Sequence, residues 1–528
     1  MRRYALKELV LGNILEEKAS AHPAKTLLKL REGEWSYGEV NEMADRLAQG
    51  FAAIGVRQHN HVAVMLPNCS DFLFVTLALA KLGAVAVPIN IEFKGDILRH
   101  VLDTSDAAML VVDEPCLGRV AELEDRLPRL ASLIVRTEGV PPESFRGTRK
   151  PAVPLALLRR RGEAPRAHVR HCHLQAIMYT SGTTGRSKGV TVPHAHALTG
   201  AKDSMELLAY RPDETIYCPL PLFHAAALWD GFMTALLAEC SIAVVERFSA
   251  SRFWDDVRRF GANVAMGIFS MIPILLKKPP APDDRDHPLR ALYLGKSALD
   301  EAFHERFGVR SVESYTSTEV GIGTCSPYGE WRVGSCGGAN EATFEVKVVD
   351  DEDNEMGPGD SGEIVVRPRR PYVMTLGYYN EPSATARAFR NLWFHTGDRA
   401  YRDEDGYFYF VERMKDCIRR RGENISAFEV EQAVNAHPAV LESAAFAVPS
   451  DVEEDELKVA VVPVPGVRLD EDELVAFCQE QLPSFMVPSY VEFVNELPKS
   501  AIGKIAKHQL REQAAREMAG QGEDLGAR

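Results

Sequence analysis

The sequence of 528 residues lacks several features that would assign it at once to a class of protein. Its nine cysteines are scattered from Cys69 to Cys478 and include no Cys-x-x-Cys pair, which argues against a disulfide framework and against a cysteine-rich zinc site. Lysine and arginine number 61 against 75 aspartate and glutamate residues, and the net charge is −14. Nucleic-acid binding is therefore not expected, because it requires a basic face. A small anionic ligand is still compatible, because a local basic pocket can lie on an acidic protein.

A long uninterrupted hydrophobic run is also missing. The most apolar region, residues 72–90, is interrupted by Lys81, Gly83 and Pro88. It predicts a buried helix, a glycine stop and a strand instead of a membrane span. The apolar residues of the first twenty positions are broken by charged residues, unlike a signal peptide. We therefore expect a cytoplasmic protein with reduced thiols.

The chain is too long for a single hydrophobic core, so at least two domains are expected. Short runs rich in β-branched residues alternate with helical stretches in the first half, which predicts an α/β fold with largely parallel, helix-covered sheets. From about Phe344 the pattern changes to strands and turns and predicts a β subdomain. Near Val411 it changes again, to a small α+β domain. The predicted domains are residues 1–412 and 413–528.

One segment is almost free of apolar residues. Thr180 to Gly189, TSGTTGRSKG, holds five hydroxyls, three glycines, one arginine and one lysine. Backbone N–H groups in a glycine-rich turn can converge on phosphate oxygens, and hydroxyls and a lysine add donors. The segment therefore predicts a phosphate site, although it is not a Walker A loop, because Lys188 follows Ser187 and precedes Gly189. Composition alone leaves a flexible linker open as the alternative.

Four further motifs follow along the chain. They are YTSTE (Tyr315–Glu319), FHTGDRA (Phe394–Ala400), a basic stretch beginning near Arg413 and a Gly-Lys turn at Lys504. Each motif alone has an ordinary structural explanation, such as a helix cap, a solvated charge or a salt bridge. In this order and spacing they closely resemble the acyl-adenylate-forming family of acyl-CoA synthetases, peptide-synthetase adenylation domains and luciferases. The resemblance covers nearly the whole chain.

The resemblance implies a two-step reaction. A carboxylate attacks the α-phosphate of ATP, pyrophosphate leaves, and the acyl-AMP then meets a thiol, usually that of coenzyme A. No general base is needed, because a carboxylate is already ionised near neutral pH. The implied cofactors are ATP, Mg²⁺ and coenzyme A. The implied architecture is a large N-terminal domain and a mobile C-terminal lid, with the hinge at Lys415.

The resemblance also assigns roles to nucleotide-binding residues. The phosphate loop would surround the β- and γ-phosphates, Tyr315 would stack on adenine, and Thr318 would donate to the α-phosphate. Asp398 and Arg413 would contact the ribose, and Glu319 would hold Mg²⁺. The loop residues implied in nucleotide binding are Thr180, Ser181, Gly182, Thr183, Thr184, Gly185 and Lys188.

Catalysis is implied to depend on the C-terminal lid. Lys504 would bridge the attacking carboxylate and the α-phosphate, where negative charge builds in the transition state. Rotation about Lys415 would then withdraw Lys504 and bring another face of the lid to the acyl-AMP. For the basic cluster Arg419–Arg421, contact with coenzyme A phosphates and a solvated basic face are both open. The residues implied in catalysis are Lys504, Thr184, Glu319 and His224.

The acyl site is predicted around PLFHAAALWDG, which places His224, small residues and Trp229 where relatives line this site. A satisfied core histidine is the alternative for His224. The motif lacks the aspartate that amino-acid-activating relatives carry near here, which argues against an α-amino acid and favours a sizeable apolar acid. Gly295 and Lys296 would complete the pocket, with Lys296 reaching a polar or anionic acyl group or facing solvent.

Three other residues depart from the family pattern without removing a catalytic group: Arg186, Thr316 and Glu412. We predict an acid–thiol ligase acting on a small-molecule carboxylic acid, most like CoA ligases of the carnitine or bile-acid type. The alternatives are a ligase that passes its acyl group to a separate carrier protein, an enzyme of the adenylation half-reaction only, and a regulatory nucleotide-binding module. No residue favours a luciferase-like oxygenase. The acid and the oligomeric state, a homo-oligomer included, stay open.

Overall fold

A computed structural model describes most of the chain. The described residues are 2–137, 145, 147–162, 164–165, 167–180, 186–268, 271–293, 299–330, 332–413, 417–450, 454–498, 505, 507 and 509–516. Arg413 is described in its backbone alone. Several predicted site residues lie outside the described residues: Ser181, Gly182, Thr183, Thr184, Gly185, Gly295, Lys296, Lys415 and Lys504.

The strands of the described residues follow one another from the N-terminus to the C-terminal domain. In chain order they are β1 (Thr26–Leu30), β2 (Gly33–Ser36), β3 (His61–Met65), β4 (Val85–Pro88), β5 (Met109–Asp113), β6 (Ser132–Arg136), β7 (Ala152–Pro154), β8 (Leu174–Thr180), β9 (Lys188–Pro193), β10 (Thr215–Cys218), β11 (Ser241–Val244), β12 (Val264–Met266), β13 (Ala291–Tyr293), β14 (Arg310–Val312), β15 (Ser314–Ser317), β16 (Gly321–Cys325), β17 (Gly338–Ala339), β18 (Phe344–Val349), β19 (Ser361–Pro368), β20 (Phe394–Arg402), β21 (Phe408–Arg413), β22 (Cys417–Arg420), β23 (Glu423–Ser426), β24 (Val440–Pro449), β25 (Asp455–Pro463) and β26 (Tyr490–Phe493).

The α-helices lie between these strands. In chain order they are α1 (Leu11–Ala21), α2 (Tyr37–Ala53), α3 (Ser70–Leu82), α4 (Gly95–Thr104), α5 (Leu117–Ala121), α6 (His194–Leu207), α7 (Thr234–Ala238), α8 (Phe253–Phe260), α9 (Met271–Leu276), α10 (Asp300–Phe307), α11 (Pro382–Ala388), α12 (Ala427–Asn435) and α13 (Glu471–Gln481). A π-helix spans Ala226–Met233. Short 3₁₀ turns cover Leu6–Glu8, Glu114–Cys116, Glu124–Arg126, Leu155–Leu158, Arg390–Leu392 and Ser484–Met486.

Two seven-stranded sheets contain most of the early strands. One has the order β14-β13-β12-β10-β11-β1-β2, and the other has the order β7-β6-β5-β3-β4-β8-β9. Neighbours from β14 to β1 and from β7 to β8 pair in parallel, whereas β1 and β2 are antiparallel. Parallel neighbours need crossover connections, which helices usually provide. The α/β prediction is confirmed.

The apolar region at residues 72–90 folds as the sequence predicts. α3 is buried along nearly its whole length, and its C-cap Gly83 adopts φ 66°, a left-handed conformation that favours glycine. The buried strand β4 follows directly. No helix within the described part of the chain combines the length and the apolar character that crossing a membrane requires.

Smaller sheets follow the two large ones. The orders are β15-β16-β17, β18-β19-β20-β21, β22-β23 and β24-β25-β26. The chain divides into two compact units: Met1–Ile91, Arg99–Tyr179 and Lys188–Glu412 form one, and Glu92–Leu98, Thr180–Ser187 and Arg413–Arg528 form the other. Each unit contains its own apolar cores, so each has the means to fold around a separate interior.

One arginine of the basic cluster after β21 is a core residue of the second unit. Arg420 is 6% exposed and donates to the carbonyls of Phe485 at 3.0 Å and Val487 at 2.7 Å. It also donates to Ser489 Oγ at 2.6 Å, and its Nε lies 2.7 Å from Glu456 Oε2. Neither sequence-based alternative, a coenzyme A contact or a solvated face, fits a guanidinium already held by the protein on several sides.

Arg420→Met should destabilise the protein by about 2–3 kcal/mol, because it leaves two carbonyls without their donor and removes the cation beside the Glu456 carboxylate. The neighbouring Arg421 is exposed, so Arg421→Met serves as the matched control and should change stability by less than about 0.5 kcal/mol. Urea unfolding of both variants is the measurement. Equal midpoints for the two variants would contradict the structural role of Arg420.

Candidate functional site

The phosphate motif connects two neighbouring strands of a large sheet. β8 ends at Thr180 and β9 begins at Lys188, so the motif lies at the carboxyl end of a parallel strand, where ligand sites of α/β sheets occur. A Cβ at Gly189 would lie 2.7 Å from Ile177 Cγ2. Only glycine therefore fits where β9 passes the side chains of β8.

Lys188 of the motif belongs to the first unit, and Ser187 belongs to the second unit. Ser187 donates from its backbone N–H at 2.9 Å and from its hydroxyl at 2.7 Å to Glu429 Oε1, within that unit. Two donors therefore converge on one anionic oxygen at this end of the motif, as expected of a segment built to donate to anions. Arg186 is exposed and Thr180 is partly exposed.

The predicted adenine residue and one of the two predicted ribose residues meet in the first unit. Tyr315 lies on β15 and Asp398 lies on β20, and the Tyr315 hydroxyl donates to Asp398 Oδ2 at 2.6 Å. Both residues are buried, with exposures of 7% and 5%. A carboxylate has about four acceptor positions, so the bond from Tyr315 leaves acceptor capacity for a ribose. The strand register shifts between Tyr315 and Thr316, next to one of the departures from the family pattern.

A glutamate on β19 fixes the irregular part of β20 that precedes Asp398, where the strand register shifts. Glu363 accepts from the Gly397 N–H at 2.8 Å and lies 2.8 Å from His395 Nδ1. The Thr396 hydroxyl donates to a β19 carbonyl at 2.7 Å, and Gly397 adopts φ 75°. Sequence reasoning missed Glu363, because no motif contains it and it lies 32 positions before His395.

A second pair of predicted residues meets around one tyrosine. Glu319 lies at the turn between β15 and β16, and its Oε1 accepts from the Tyr378 hydroxyl at 3.1 Å. The ammonium of Lys188 lies 5.0 Å from the centroid of the Tyr378 ring. Burial, and then the nearby Glu319 carboxylate, raises the pKa of Tyr378, so the phenol stays protonated and donates. Sequence reasoning missed Tyr378, because no recognised motif contains it.

The donor set around Glu319 fits magnesium. Among the described residues there is no group of three or more His, Cys, Asp or Glu side chains that could enclose a metal ion. Mg²⁺ is usually held by one or two carboxylates together with substrate phosphates and water, not by an all-protein cage. One carboxylate near Lys188, in the segment predicted to bind phosphate, is therefore a suitable arrangement.

Of the predicted acyl-site residues, Trp229 lies on an unusual helix, and His224 precedes that helix. His224 is partly exposed, its ring centroid is 4.6 Å from that of Phe223, and its carbonyl accepts from Leu228 N at 3.0 Å. The π-helix begins two residues later and contains Trp229. π-Helical turns are rare and frequently occur at functional sites.

Polar groups lie where this π-helix packs on α6. Trp229 is 2% exposed, and its ring centroid is 4.9 Å from that of His196. Burial lowers the pKa of His196 to about 3, so its imidazole is neutral. Burial, and then Asp203, raises the pKa of Asp230. Among the described residues, neither Trp229 Nε1 nor the His196 ring nitrogens have a hydrogen-bond partner.

Two pairs of predicted residues are thus brought together by the hairpin of β15 and β16: Tyr315 with Asp398, and Glu319 with Lys188 through Tyr378. Thr318 lies in the same hairpin turn and is partly exposed. The catalytic and ligand roles of all these residues stay predictions.

Comparison with known proteins identifies the class that this fold and site define. The family model described as "AMP-binding enzyme" matches residues 15–379, and the model of the "AMP-binding enzyme C-terminal domain" matches residues 429–504. The chain belongs to the AMP-binding enzyme family. The resemblance seen in the sequence motifs is confirmed.

Two relatives within the family are named as CoA ligases. The chain is 34% identical over 521 residues to crotonobetaine/carnitine–CoA ligase of Salmonella paratyphi B, with 95% of this chain and 98% of the relative covered. It is also 34% identical over 488 residues to the ligase of the same name from Salmonella typhi, covering 90% and 93%.

Solved structures share the fold along nearly the whole chain. ATP-bound MatB from Rhodopseudomonas palustris has a TM-score of 0.69 and 26% identity, with 96% of this chain and 98% of that chain covered. The o-succinylbenzoate CoA synthetase MenE from Bacillus subtilis has a TM-score of 0.80 and 24% identity, with 95% and 98% covered.

Tyr315→Phe should raise KM for ATP roughly 3- to 10-fold with a smaller change in kcat, because Asp398 loses one hydrogen bond that orients it while the ring is kept. Tyr409→Phe is the matched control, since the Tyr409 hydroxyl also donates to an aspartate, Asp403 Oδ2, at 3.1 Å. Steady-state kinetics with varied ATP measure both variants. If the control shifts KM as much as Tyr315→Phe does, the assigned role of the Tyr315–Asp398 bond is wrong.

Proposed function

We propose that this AMP-binding enzyme is an ATP-dependent acid–thiol ligase. It activates a carboxylic acid to acyl-AMP with release of pyrophosphate and then transfers the acyl group to coenzyme A. The observation that carries the proposal is the convergence of Lys188 and Glu319 on Tyr378, beside the bonded pair of Tyr315 and Asp398. Relatives that are named as CoA ligases and align over nearly the whole chain support it.

The first step joins the acid to AMP. One oxygen of the substrate carboxylate attacks the α-phosphorus, and the bond from that phosphorus to the β-phosphate bridging oxygen breaks. Lys188 binds the departing phosphates, and Thr318 donates to the α-phosphate. Tyr315 holds adenine, and Asp398 accepts from the ribose hydroxyls. These groups position the nucleotide so that the two reacting atoms meet in line.

Magnesium is proposed at Glu319. The ion would supply positive charge that offsets the charge of the phosphate oxygens. Glu319 supplies the carboxylate for it and is itself held by the hydroxyl of Tyr378.

The domain roles follow the predicted division. Residues 1–412 hold the nucleotide and acyl sites, and residues 413–528 act as a lid that turns about Lys415. In the first step Lys504 places its ammonium between the attacking carboxylate and the α-phosphate, and Arg413 adds a ribose contact. In the second step the thiol of coenzyme A loses its proton to water and attacks the acyl carbon as the thiolate, and AMP leaves with the electron pair of the broken C–O bond.

The acid is proposed to carry a polar or cationic group. His224 and Trp229 line the acyl site in this proposal, with Gly295 and Lys296. The relatives are named for crotonobetaine and carnitine, and the helix of Trp229 brings an indole N–H and the buried Asp230 to this region. A purely apolar acid would leave such groups without partners, at a free-energy cost. This proposal replaces the sizeable apolar acid that the sequence motif favours with an acid that carries a polar or cationic group.

Acid-dependent exchange of pyrophosphate into ATP is the experiment that tests the function. With Mg²⁺ and no coenzyme A, exchange should appear with one class of acid in a panel of carnitine, crotonobetaine, and short, medium, aromatic and polycyclic acids. Excess EDTA should abolish it. Adding coenzyme A, or a carrier protein in parallel, should give product with coenzyme A only. ATP binding without exchange on any acid would favour a regulatory nucleotide-binding module.

Lys504→Ala should lower acid-dependent exchange by at least about 100-fold, because the transition state loses a fixed positive charge. Thioester formation from supplied acyl-AMP and coenzyme A should be largely retained, because Lys504 acts only in the first step. Lys507→Ala, which removes a lysine paired with Glu431 at 2.7 Å, is the control. Equal losses in both half-reactions would reject the two-conformation lid.

A further inference from the structure

The segment Thr375–Tyr379 is bonded along the strand that follows the phosphate motif. The Tyr379 N–H donates to the Gly189 carbonyl at 2.7 Å, and the Thr191 N–H donates to the Gly377 carbonyl at 3.0 Å. The Thr191 hydroxyl donates to the same carbonyl at 2.8 Å. We name this segment the strap. Its backbone is therefore fixed relative to β9, and Lys188 is the first residue of β9.

The strap is also bonded to Glu319. The Thr375 N–H donates to the Glu319 carbonyl at 2.9 Å, and the Tyr378 hydroxyl donates to Glu319 Oε1 at 3.1 Å. Both the main chain and the side chain of Glu319 are thus held by the strap. The Tyr378 N–H donates to Thr385 Oγ1 at 2.9 Å, which fixes the tyrosine from its other side.

One side chain of the strap contacts both charged residues of the site. The face of the Tyr378 ring lies below the Lys188 ammonium, with 5.0 Å between Nζ and the centroid, and its hydroxyl meets the Glu319 carboxylate. A ring face attracts a cation and a phenol hydroxyl donates to an anion. Tyr378 therefore contacts two opposite charges with two different parts of one neutral side chain.

These neutral contacts of Tyr378 with Lys188 and Glu319 have a physical purpose. Opposite charges at contact distance attract strongly in a partly buried site, so a flexible lysine and a glutamate in this place would tend to pair with each other. A direct pair would take the ammonium from the phosphates and the carboxylate from the metal. The Tyr378 side chain offers each charge a neutral contact, the ring face for Lys188 and the hydroxyl for Glu319, which a phosphate or a cation can supplement.

We propose that Tyr378 is a positioning residue that keeps Lys188 available to the phosphates of ATP and Glu319 available to Mg²⁺ at the same time. The inference rests on the proposed function, because that function assigns the two ligands. It adds a residue outside every motif recognised in the sequence, and it makes the binding of ATP and Mg²⁺ depend on a common element.

Two substitutions separate the two parts of the side chain. Tyr378→Phe keeps the ring and removes the hydroxyl, so the half-saturating Mg²⁺ concentration in acid-dependent exchange should rise roughly 3- to 10-fold. Tyr378→Leu removes the ring as well, so its KM for ATP at saturating Mg²⁺ should exceed that of Tyr378→Phe by a factor of roughly 2 to 10. Excess Mg²⁺ should restore most of the rate of Tyr378→Phe and little of that of Tyr378→Leu.

Tyr379→Phe is the matched control. The Tyr379 hydroxyl also donates to a carboxylate, Asp106 Oδ2 at 2.9 Å, and the residue is adjacent in the strap, so a general loosening of the strap would affect both variants alike. The control should leave the Mg²⁺ dependence of the wild type unchanged. A rise in half-saturating Mg²⁺ of the same size in Tyr378→Phe and Tyr379→Phe would overturn the inference.

A double-mutant cycle with Glu319→Gln gives the second readout. If Tyr378 acts on the metal through Glu319, Tyr378→Phe should change the Mg²⁺ dependence of the Glu319→Gln enzyme by less than twofold. An undiminished effect of Tyr378→Phe on the Mg²⁺ dependence of the Glu319→Gln enzyme would also overturn the inference. Failure of the wild type to exchange pyrophosphate on any acid would instead count against the proposed function. In that case the same variants are compared by the Mg²⁺ dependence of ATP binding in calorimetry, with the same outcomes deciding the inference.

Discussion

The site depends on keeping two opposite charges near one another without letting them neutralise. Lys188 contacts the ring of Tyr378, and Glu319 accepts from its hydroxyl. The strap that carries this tyrosine is hydrogen-bonded to the backbone of β9 and to that of Glu319. A triphosphate with its metal brings charges of both signs, so a receptor for it needs charges of both signs in fixed places. The rest of the first unit supplies that fixation: β9 carries the lysine, and the hairpin of β15 and β16 carries the glutamate.

The same hairpin links the two ends of the proposed nucleotide site. Tyr315 at its start is bonded to Asp398, and Glu319 at its turn is bonded to Tyr378. Asp398 follows an irregular part of β20 that Glu363 holds. Each ligand-facing group is therefore supported by a second residue that lies on a different strand or segment. This arrangement keeps rotamers fixed before the ligand arrives, which lowers the entropy that binding has to offset.

Much of this could be predicted from the sequence, but only where the signal is local. The helix α3, its stop at Gly83 and the strand β4 follow from apolar runs and one glycine, and Tyr315, Glu319 and Asp398 lie in compact motifs. Sheet order could not be predicted, because an apolar strand such as β12 carries no mark of pairing with β10. Tyr378 and Glu363 were missed because their partners lie 59 and 32 positions away. The buried Arg420 was missed because a run of arginines resembles a surface run until the fold surrounds one of them.

The position of the strap along the chain has a consequence for biosynthesis. All strands of the two seven-stranded sheets precede residue 313, whereas the strap and Asp398 come later. A nascent chain emerging from the ribosome therefore contains the strands of both sheets before it contains the residues that complete the nucleotide site. Because a ligand stabilises only a state that binds it, cellular ATP can stabilise the finished enzyme but gives little help to the body of the protein while it is being made. The two seven-stranded sheets therefore have to fold through the burial of their own apolar core.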